Sequence, residues 1–319
     1  MSAADSPVDF SAWIGRTEEA QDHLSHNLIK RIAATFGEPV PAHGEALPPL
    51  WQWCFFQEPV FESQLGIDGH PARGGFLPPA DNRNRMWAGG RVEFIQPLTV
   101  GADAHRLSTI LHIEEKHGRT GSLLFVTVRH DYSQHGELCV REEQDIVYRE
   151  PNPPKLTSGE PPAQGDWSET IEPTPTLLFR YSAVTFNGHR IHYDYPYVTE
   201  TEGYPGLVVH GPMIATFNLR AFIRANPDKR VRHFAYRGVR PLNVPTPFRV
   251  GGRIVEPGKA QLWAPVEHSL MLRHTDPPTV LLQVVPAGHC PGFSHSLMST
   301  HTSPSQTVPV GHGAAQEHS

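Results

Sequence analysis

Residues Gly206–Asn226 read GLVVHGPMIATFNLRAFIRAN. Leu207, Val208, Val209, Met213, Ile214, Ala215, Phe217, Leu219, Ala221, Phe222 and Ile223 place apolar side chains around nearly the whole circumference of a helix from about His210 to Ala225. A helix that is apolar on every side is buried. Something must therefore enclose it. The segments that follow, RHFAYRGVRPLNV, FRVGGRIV, AQLWAPVEHS and TVLLQVV, read as strands, and LLFRYSAVTF before it reads as one more. A curved antiparallel sheet wrapped around one central helix satisfies both observations.

The first part of the chain has the same order. Ala20, Leu24, Leu28, Ile32 and Phe36, with Ile29 and Ala33 beside them, form one apolar stripe, and the expectation is a helix from Thr17 to Phe36 stopped by Gly37 and Pro39. The stretch from Pro41 to Gly90 is rich in turn residues. After it RVEFIQPLTV, RLSTILHIEE, SLLFVTVRHDY and ELCVREEQDIVYRE succeed one another with turns at Gly101, Gly118–Gly121 and His135–Gly136, a meander rather than a series of βαβ units. VEFIQPLTV (Val92–Val100) and YRGVRPLNV (Tyr236–Val244) share Pro-Leu-x-Val at an offset of 241 − 97 = 144 residues. Together with helix-then-meander order in both halves, this indicates a duplicated domain. One helix wrapped by one sheet is the hotdog architecture. Two copies make an α+β double hotdog. The expected division is an N-terminal hotdog-like domain at 10–150, a Pro-rich linker at 151–176, a C-terminal hotdog at 177–286 and a disordered polar tail at 287–319.

Bulk properties narrow the function classes. The chain is 38% hydrophobic and 19% charged, as a soluble globular protein is, and its net charge of -6 argues against a nucleic-acid partner. Its three cysteines, Cys54, Cys139 and Cys290, are far apart and form no CxxC pair, so a reduced cytoplasmic setting is expected. The start, MSAADSPVDFSAWIG, lacks the basic and apolar regions of a secretory signal, and no run reaches the ~18 apolar residues that span a bilayer, so no membrane partner is expected.

Chemistry concentrates in TFNGHRIHYDYPYVTE (Thr185–Glu200), which ends ten residues before HGPM (His210–Met213). His189, His192 and Asp194 could be metal ligands, but their spacing matches no common zinc signature, and no metal is expected. Acid–base chemistry fits better. His192 beside the amide of Asn187 can hold and deprotonate one water. The backbone N–H of Gly211, at the start of the buried helix, can stabilise an oxyanion, and a glycine there admits a substrate close to the backbone. That pairing suits addition of water to an α,β-unsaturated thioester. His210 reads as a structural residue of the helix start, with a supporting catalytic role as the alternative. Arg85, Arg190, Arg237 and Arg240 are candidates for a substrate carboxylate or phosphates. Trp51, Trp53 and Trp87 line the substrate space or fill the core.

TFNGHRIHYD followed by YPGLVVHGPM resembles the hydratase motif of MaoC-like (R)-specific enoyl-CoA hydratases. The likeness is stronger to a subgroup: 3-hydroxyacyl-thioester dehydratases of the mitochondrial type, mesaconyl-C4-CoA hydratases and itaconyl-CoA hydratases. LPPLWQW, GHPARGGFLPP, RMWAGG and FAYRGVRPL are similar to that subgroup as well, so the resemblance covers most of residues 10 to 285. It implies a hydro-lyase with one active site per chain, acting on a short dicarboxylic enoyl-CoA. It implies His192 as acid and base, Asn187 as the group that orients water, and the Gly211 N–H as oxyanion donor. The broader family has Asp where this chain has Asn187, and an amide cannot serve as a base. Asp194 is retained from the motif, either to orient His192 or, as favoured here, to cap the turn. No cofactor is implied beyond the CoA of the substrate, and the assembly allowed is a homodimer. The alternatives are a hydratase of medium-chain 3-hydroxyacyl thioesters, a hotdog thioesterase and a non-catalytic acyl-CoA-binding subunit.

Overall fold

The computed structural model describes residues 9–72, 74–80, 83–118, 121–150, 165–238, 240–264 and 280–286. The first half contains β1 (Thr17–His23), α1 (His26–Phe36), β2 (Asn84–Phe94), β3 (Asp103–Gly118), β4 (Gly121–Gln134) and β5 (Glu137–Arg149). The second contains β6 (Trp167–Ile171), α2 (Pro175–Val184), α3 (Gly211–Ala225), β7 (Lys229–Arg237), β8 (Phe248–Glu256), β9 (Lys259–Trp263) and β10 (Val280–Pro286). The ten described strands form a single antiparallel sheet in the order β1-β3-β4-β5-β2-β7-β10-β9-β8-β6. Numbered within its own half, each set of five runs first, third, fourth, fifth, second. The duplication read from Pro-Leu-x-Val is thus a duplication of topology, and the two motif copies follow equivalent strands, β2 and β7. This is a double hotdog.

Three local expectations change. The stretch Thr17–Phe36 is not one helix. Ser25 caps α1 by accepting from the Leu28 amide, and the residues before it form β1, an edge strand paired with β3 from Thr17↔Thr109 to His23↔Asp103. The four-residue spacing of Ala20 and Leu24 also suits alternate positions of a strand, so the stripe could not separate the two. LLFRYSAVTF is helical: Thr174 accepts from the Leu177 amide and Pro175 opens α2, a start signal that the apolar run concealed. Within the expected linker, Trp167–Ile171 is β6, paired with β8. The remainder of that linker up to 164 and the expected tail at 287–319 lie outside the described residues.

The central helices meet in one core. Met213, Ala215, Phe217, Leu219, Ala221 and Phe222 of α3 are buried, and α3 packs on β6, β7, β8 and β9. Phe36 at the end of α1 sets its ring edge-on to Phe217 at 5.1 Å and to Tyr181 of α2 at 5.9 Å. Burying each such side chain stabilises the fold by roughly 1.5–3 kcal/mol.

The halves are joined by β2 and β7, from Gly89↔Arg237 to Glu93↔His233. Gly90 has no side chain because the Tyr236 ring lies where one would be: a Cβ there would stand 2.5 Å from the Tyr236 hydroxyl. Behind this seam Glu142 is fully buried. Its carboxylate accepts from Trp53 Nε1 (2.8 Å), Gln144 Nε2 (2.8 Å), the Tyr132 hydroxyl (3.2 Å) and the Tyr236 hydroxyl (3.4 Å). Burial raises its pKa and those donors oppose the rise. Removing the acceptor strands several buried donors, each worth about 1–3 kcal/mol. Glu142→Ala should therefore lower the unfolding free energy by about 3 kcal/mol or more, and Glu142→Gln, which keeps an accepting oxygen, by clearly less. Urea denaturation of the two variants checks the order.

Candidate active site

The turn between α2 and α3 carries the polar cluster. Asn187 folds back on α2, its N–H donating to Ser182 O (2.9 Å), while its side-chain oxygen accepts from the His189 amide (2.9 Å). Before it, Phe186 adopts φ 49, a left-handed conformation that is rare for a bulky residue and that reverses the chain. Arg190–His192 then form a single tight 3-10 turn. Arg190 is committed to structure. It pairs with Asp194 at 2.7 Å, donates to Ile67 O and lies over the Tyr197 ring at 4.1 Å. Asp194 also accepts from the Tyr197 amide. It makes no hydrogen bond with His192.

His192 is buried, with its Nδ1 2.7 Å from the Val208 carbonyl. A carbonyl only accepts, so Nδ1 carries the proton and Nε2 keeps its lone pair. The ring stacks on His210, centroids 3.6 Å apart and planes at 18°. His210 is the residue before α3, and its Nε2 meets Ser182 Oγ at 2.8 Å. Its Nδ1 is buried without a hydrogen-bond partner. Two stacked, buried imidazoles cannot readily share positive charge. Burial first, and neighbouring His189 second, push His192 down to about 3. Burial and His192 push His210 well below its usual value.

Gly211 opens α3, where the first amides have no acceptor within the helix. Its missing side chain serves packing: a Cβ would lie 2.7 Å from the Trp87 ring. That corrects the expectation that the glycine simply clears a path to the backbone, since an indole occupies the space. Trp87 itself stacks on Tyr236 (4.4 Å) and meets Trp53 edge-on (5.6 Å). Trp51 and Trp53 are core. Arg85 lies two residues before Trp87 on β2 and shares its face, whereas Arg237 is exposed and alternates to the face opposite Phe234 and Tyr236. Arg240 is half-buried just past β7.

A loop of the first half completes the site, and the reading of the sequence missed it. Asp68 Oδ2 lies 3.2 Å from His70 Nδ1, and the His70 ring is 4.2 Å from that of His189. The loop is pressed onto the turn that carries Gly188 and Arg190. The Arg190 amide donates to Asp68 O (2.9 Å), and a Cβ on Gly69 would stand 2.0 Å from the Gly188 carbonyl oxygen. Burial raises the Asp68 pKa, but the hydrogen bonds and charge of His70 outweigh it and hold the carboxyl well below the usual range. His189 is pushed down to about 3, by burial first and then by His70. Asp68, His70 and His189 present ligand atoms within 4.8 Å of one another and are the one group among the described residues with the composition to hold a metal ion. The sequence signal was GHPARGG, whose histidine stands more than a hundred residues from its partner.

A family model for hydroxyacyl-thioester dehydratase type 2 matches residues 50–244. The chain belongs to this family. It is 47% identical over 253 residues to a mesaconyl-C(4)-CoA hydratase of Chloroflexus aurantiacus, covering 78% of this chain and 90% of that protein. It is 30% identical over 271 residues to the mitochondrial hydroxyacyl-thioester dehydratase type 2 of Schizosaccharomyces pombe, covering 72% and 88%. In fold it resembles a MaoC-like dehydratase from Phytophthora capsici (TM-score 0.62, 14% identity, 86% and 97% covered). It also resembles HtdX of Mycobacterium tuberculosis (TM-score 0.59, 16% identity, 84% and 99% covered).

With folded-state values near 3 against an ordinary 6.5, His189 and His192 bind fewer protons folded than unfolded between those limits. Stability is therefore expected to fall as pH is lowered from about 6.5 toward 3. Histidine side-chain NMR should show His192 still neutral at pH 5, with its proton on Nδ1. A protonated ring at that pH contradicts the buried arrangement.

Proposed function

We propose that this chain is a hydro-lyase that adds water reversibly across the double bond of a short dicarboxylic enoyl-CoA, of which mesaconyl-C4-CoA is the first choice and itaconyl-CoA the second. The observation that carries the reading is the His192 ring, fixed by Val208 O so that a free Nε2 lone pair remains. The relative at 47% identity supports the substrate class.

The step follows from the groups present. His192 Nε2 takes a proton from a water that the Asn187 NH2 group orients, its oxygen being committed to His189. The hydroxide bonds to C3 and the C2–C3 π electrons move onto the thioester oxygen. The Gly211 N–H, aided by the positive end of α3, stabilises that enolate oxygen. The imidazolium returns its proton to C2, so one water is added in full and no electrons are gained or lost. A neutral, buried imidazole is suited to the first half of this exchange, because nothing must be deprotonated beforehand. The low basicity that burial imposes makes its imidazolium a ready donor for the second.

Two buried free thiols, Cys54 and Cys139, support the reduced cytosol as its compartment. Among the described residues no helix is long and apolar enough to cross a membrane.

Removing the general base typically costs about 10²–10⁴-fold in rate. His192→Ala should lower kcat on mesaconyl-C4-CoA by at least about 10²-fold, read as loss of enoyl absorbance, with the 3-hydroxyacyl-CoA identified as the wild-type product. Release of free CoA without that product would make the protein a thioesterase. Equal wild-type and variant rates would remove His192 from the chemistry.

A further inference from the structure

This inference rests on the hydratase reading and concerns what selects the acyl group. In mesaconyl-C4-CoA the free carboxylate is attached to C3, the carbon that receives the hydroxyl. It therefore lies one bond from the reacting atom. Whatever binds it must stand beside the water at His192, not at the far end of a long acyl tunnel. A buried carboxylate needs a charged partner, and Arg is suited to bidentate contact.

Most arginines near the site are already engaged. Arg190 is held by Asp194, Arg83 by Glu115, and Arg91 by Glu143 and Asp145. Arg237 is on the opposite face of β7. Arg85 differs: it is half-buried and makes no hydrogen bond or ion pair among the described residues. It shares a strand face with Trp87, whose indole covers Gly211. The pairing of β2 with β5 shifts register between Trp87 and Gly89, and such a bulge re-aims the side chains before it. β2 pairs with β7 only from Gly89 onward, so no strand of the second half pairs with β2 at Arg85. The charge of Arg85 reaches His189, where it adds to burial and to His70 in keeping that ring neutral, and His189 is 5.4 Å from His192. Of the carboxylates around the site, Asp68 is hydrogen-bonded to His70, and Glu202 accepts from Asn84 Nδ2 and the Tyr197 hydroxyl. A half-buried guanidinium whose charge is felt at His189, the ring in edge contact with His192, thus stands without a carboxylate of its own.

We propose that Arg85 receives the free carboxylate of the substrate and is the residue that selects dicarboxylic over plain enoyl-CoA thioesters. Binding the carboxylate there also turns C3 toward the water at His192, so the contact orients as well as selects.

The test compares mesaconyl-C4-CoA with crotonyl-CoA, which has a methyl group and no carboxylate on C3, in wild type, Arg85→Gln and Arg85→Lys. Arg85→Gln should lower the ratio of the two kcat/KM values by about 10²-fold or more, as loss of one partner of a desolvated charge pair does. Arg85→Lys should fall between, and added guanidinium should partly restore the Gln variant on mesaconyl-C4-CoA alone. A ratio that stays within about 3-fold of wild type overturns the proposal, whether both activities fall together, as for a merely structural residue, or neither changes. If wild type hydrates crotonyl-CoA and not mesaconyl-C4-CoA, the dicarboxylate selection fails. If wild type hydrates neither, the hydratase reading itself fails.

Discussion

Everything at this site depends on the antiparallel pairing of β2 with β7. Each half, taken alone, ends in an open strand edge, and an unpaired edge is a liability. Joining the two edges removes both and produces one continuous sheet. The consequence for function is geometric. β2 belongs to the first half, yet it sets Trp87 against the first residue of α3, which belongs to the second. The small residues at the junction follow from this closeness. Tyr236 covers Gly90, and the Tyr236 carbonyl oxygen would stand 2.5 Å from a Cβ on Gly89. Behind them the buried carboxylate of Glu142 gathers donors from Trp53, from β4, from β5 and from β7, so the seam is specified by directed hydrogen bonds as well as by packing.

The chemistry at the seam is governed by desolvation. Of three imidazoles, His192 is in ring contact with both His189 and His210, and all are held neutral, chiefly by burial. What distinguishes them is the hydrogen bond each makes. Val208 O fixes the tautomer of His192, and Ser182 Oγ anchors His210. A site built this way needs no carboxylate next to its base. At Asn187, where the broader family has an acid, the amide shapes the turn, its side-chain oxygen accepting from the His189 amide.

Duplication left the two halves with the same strand order but different tasks. The second half supplies the turn from Asn187 to Asp194 and the start of α3. The first supplies a wall, through β2, and a loop, Gly66–His70, that locks onto the turn at Gly188 and Arg190. Asp68 and His70 reach His189 only because two glycines let the backbones touch.

The sequence by itself determined the architecture and the family. Apolar residues all round α3 require a wrapping sheet, the Pro-Leu-x-Val repeat with helix-then-meander order in both halves indicates two copies, and TFNGHRIHYD carries the family resemblance, because these are patterns of residue types along the chain. It failed at Thr17–His23 and at Pro175–Val184, where a stripe of apolar residues suits strand and helix alike and only capping by Ser25 and Thr174, with strand pairing, decides. Tertiary structure alone decided which arginines are engaged, that Trp87 fills the space at Gly211, and that Asp68 and His70 belong to the site. Those are contacts between residues far apart in the chain, set by how one backbone is pressed against another, and no local pattern of residue types encodes such a distance.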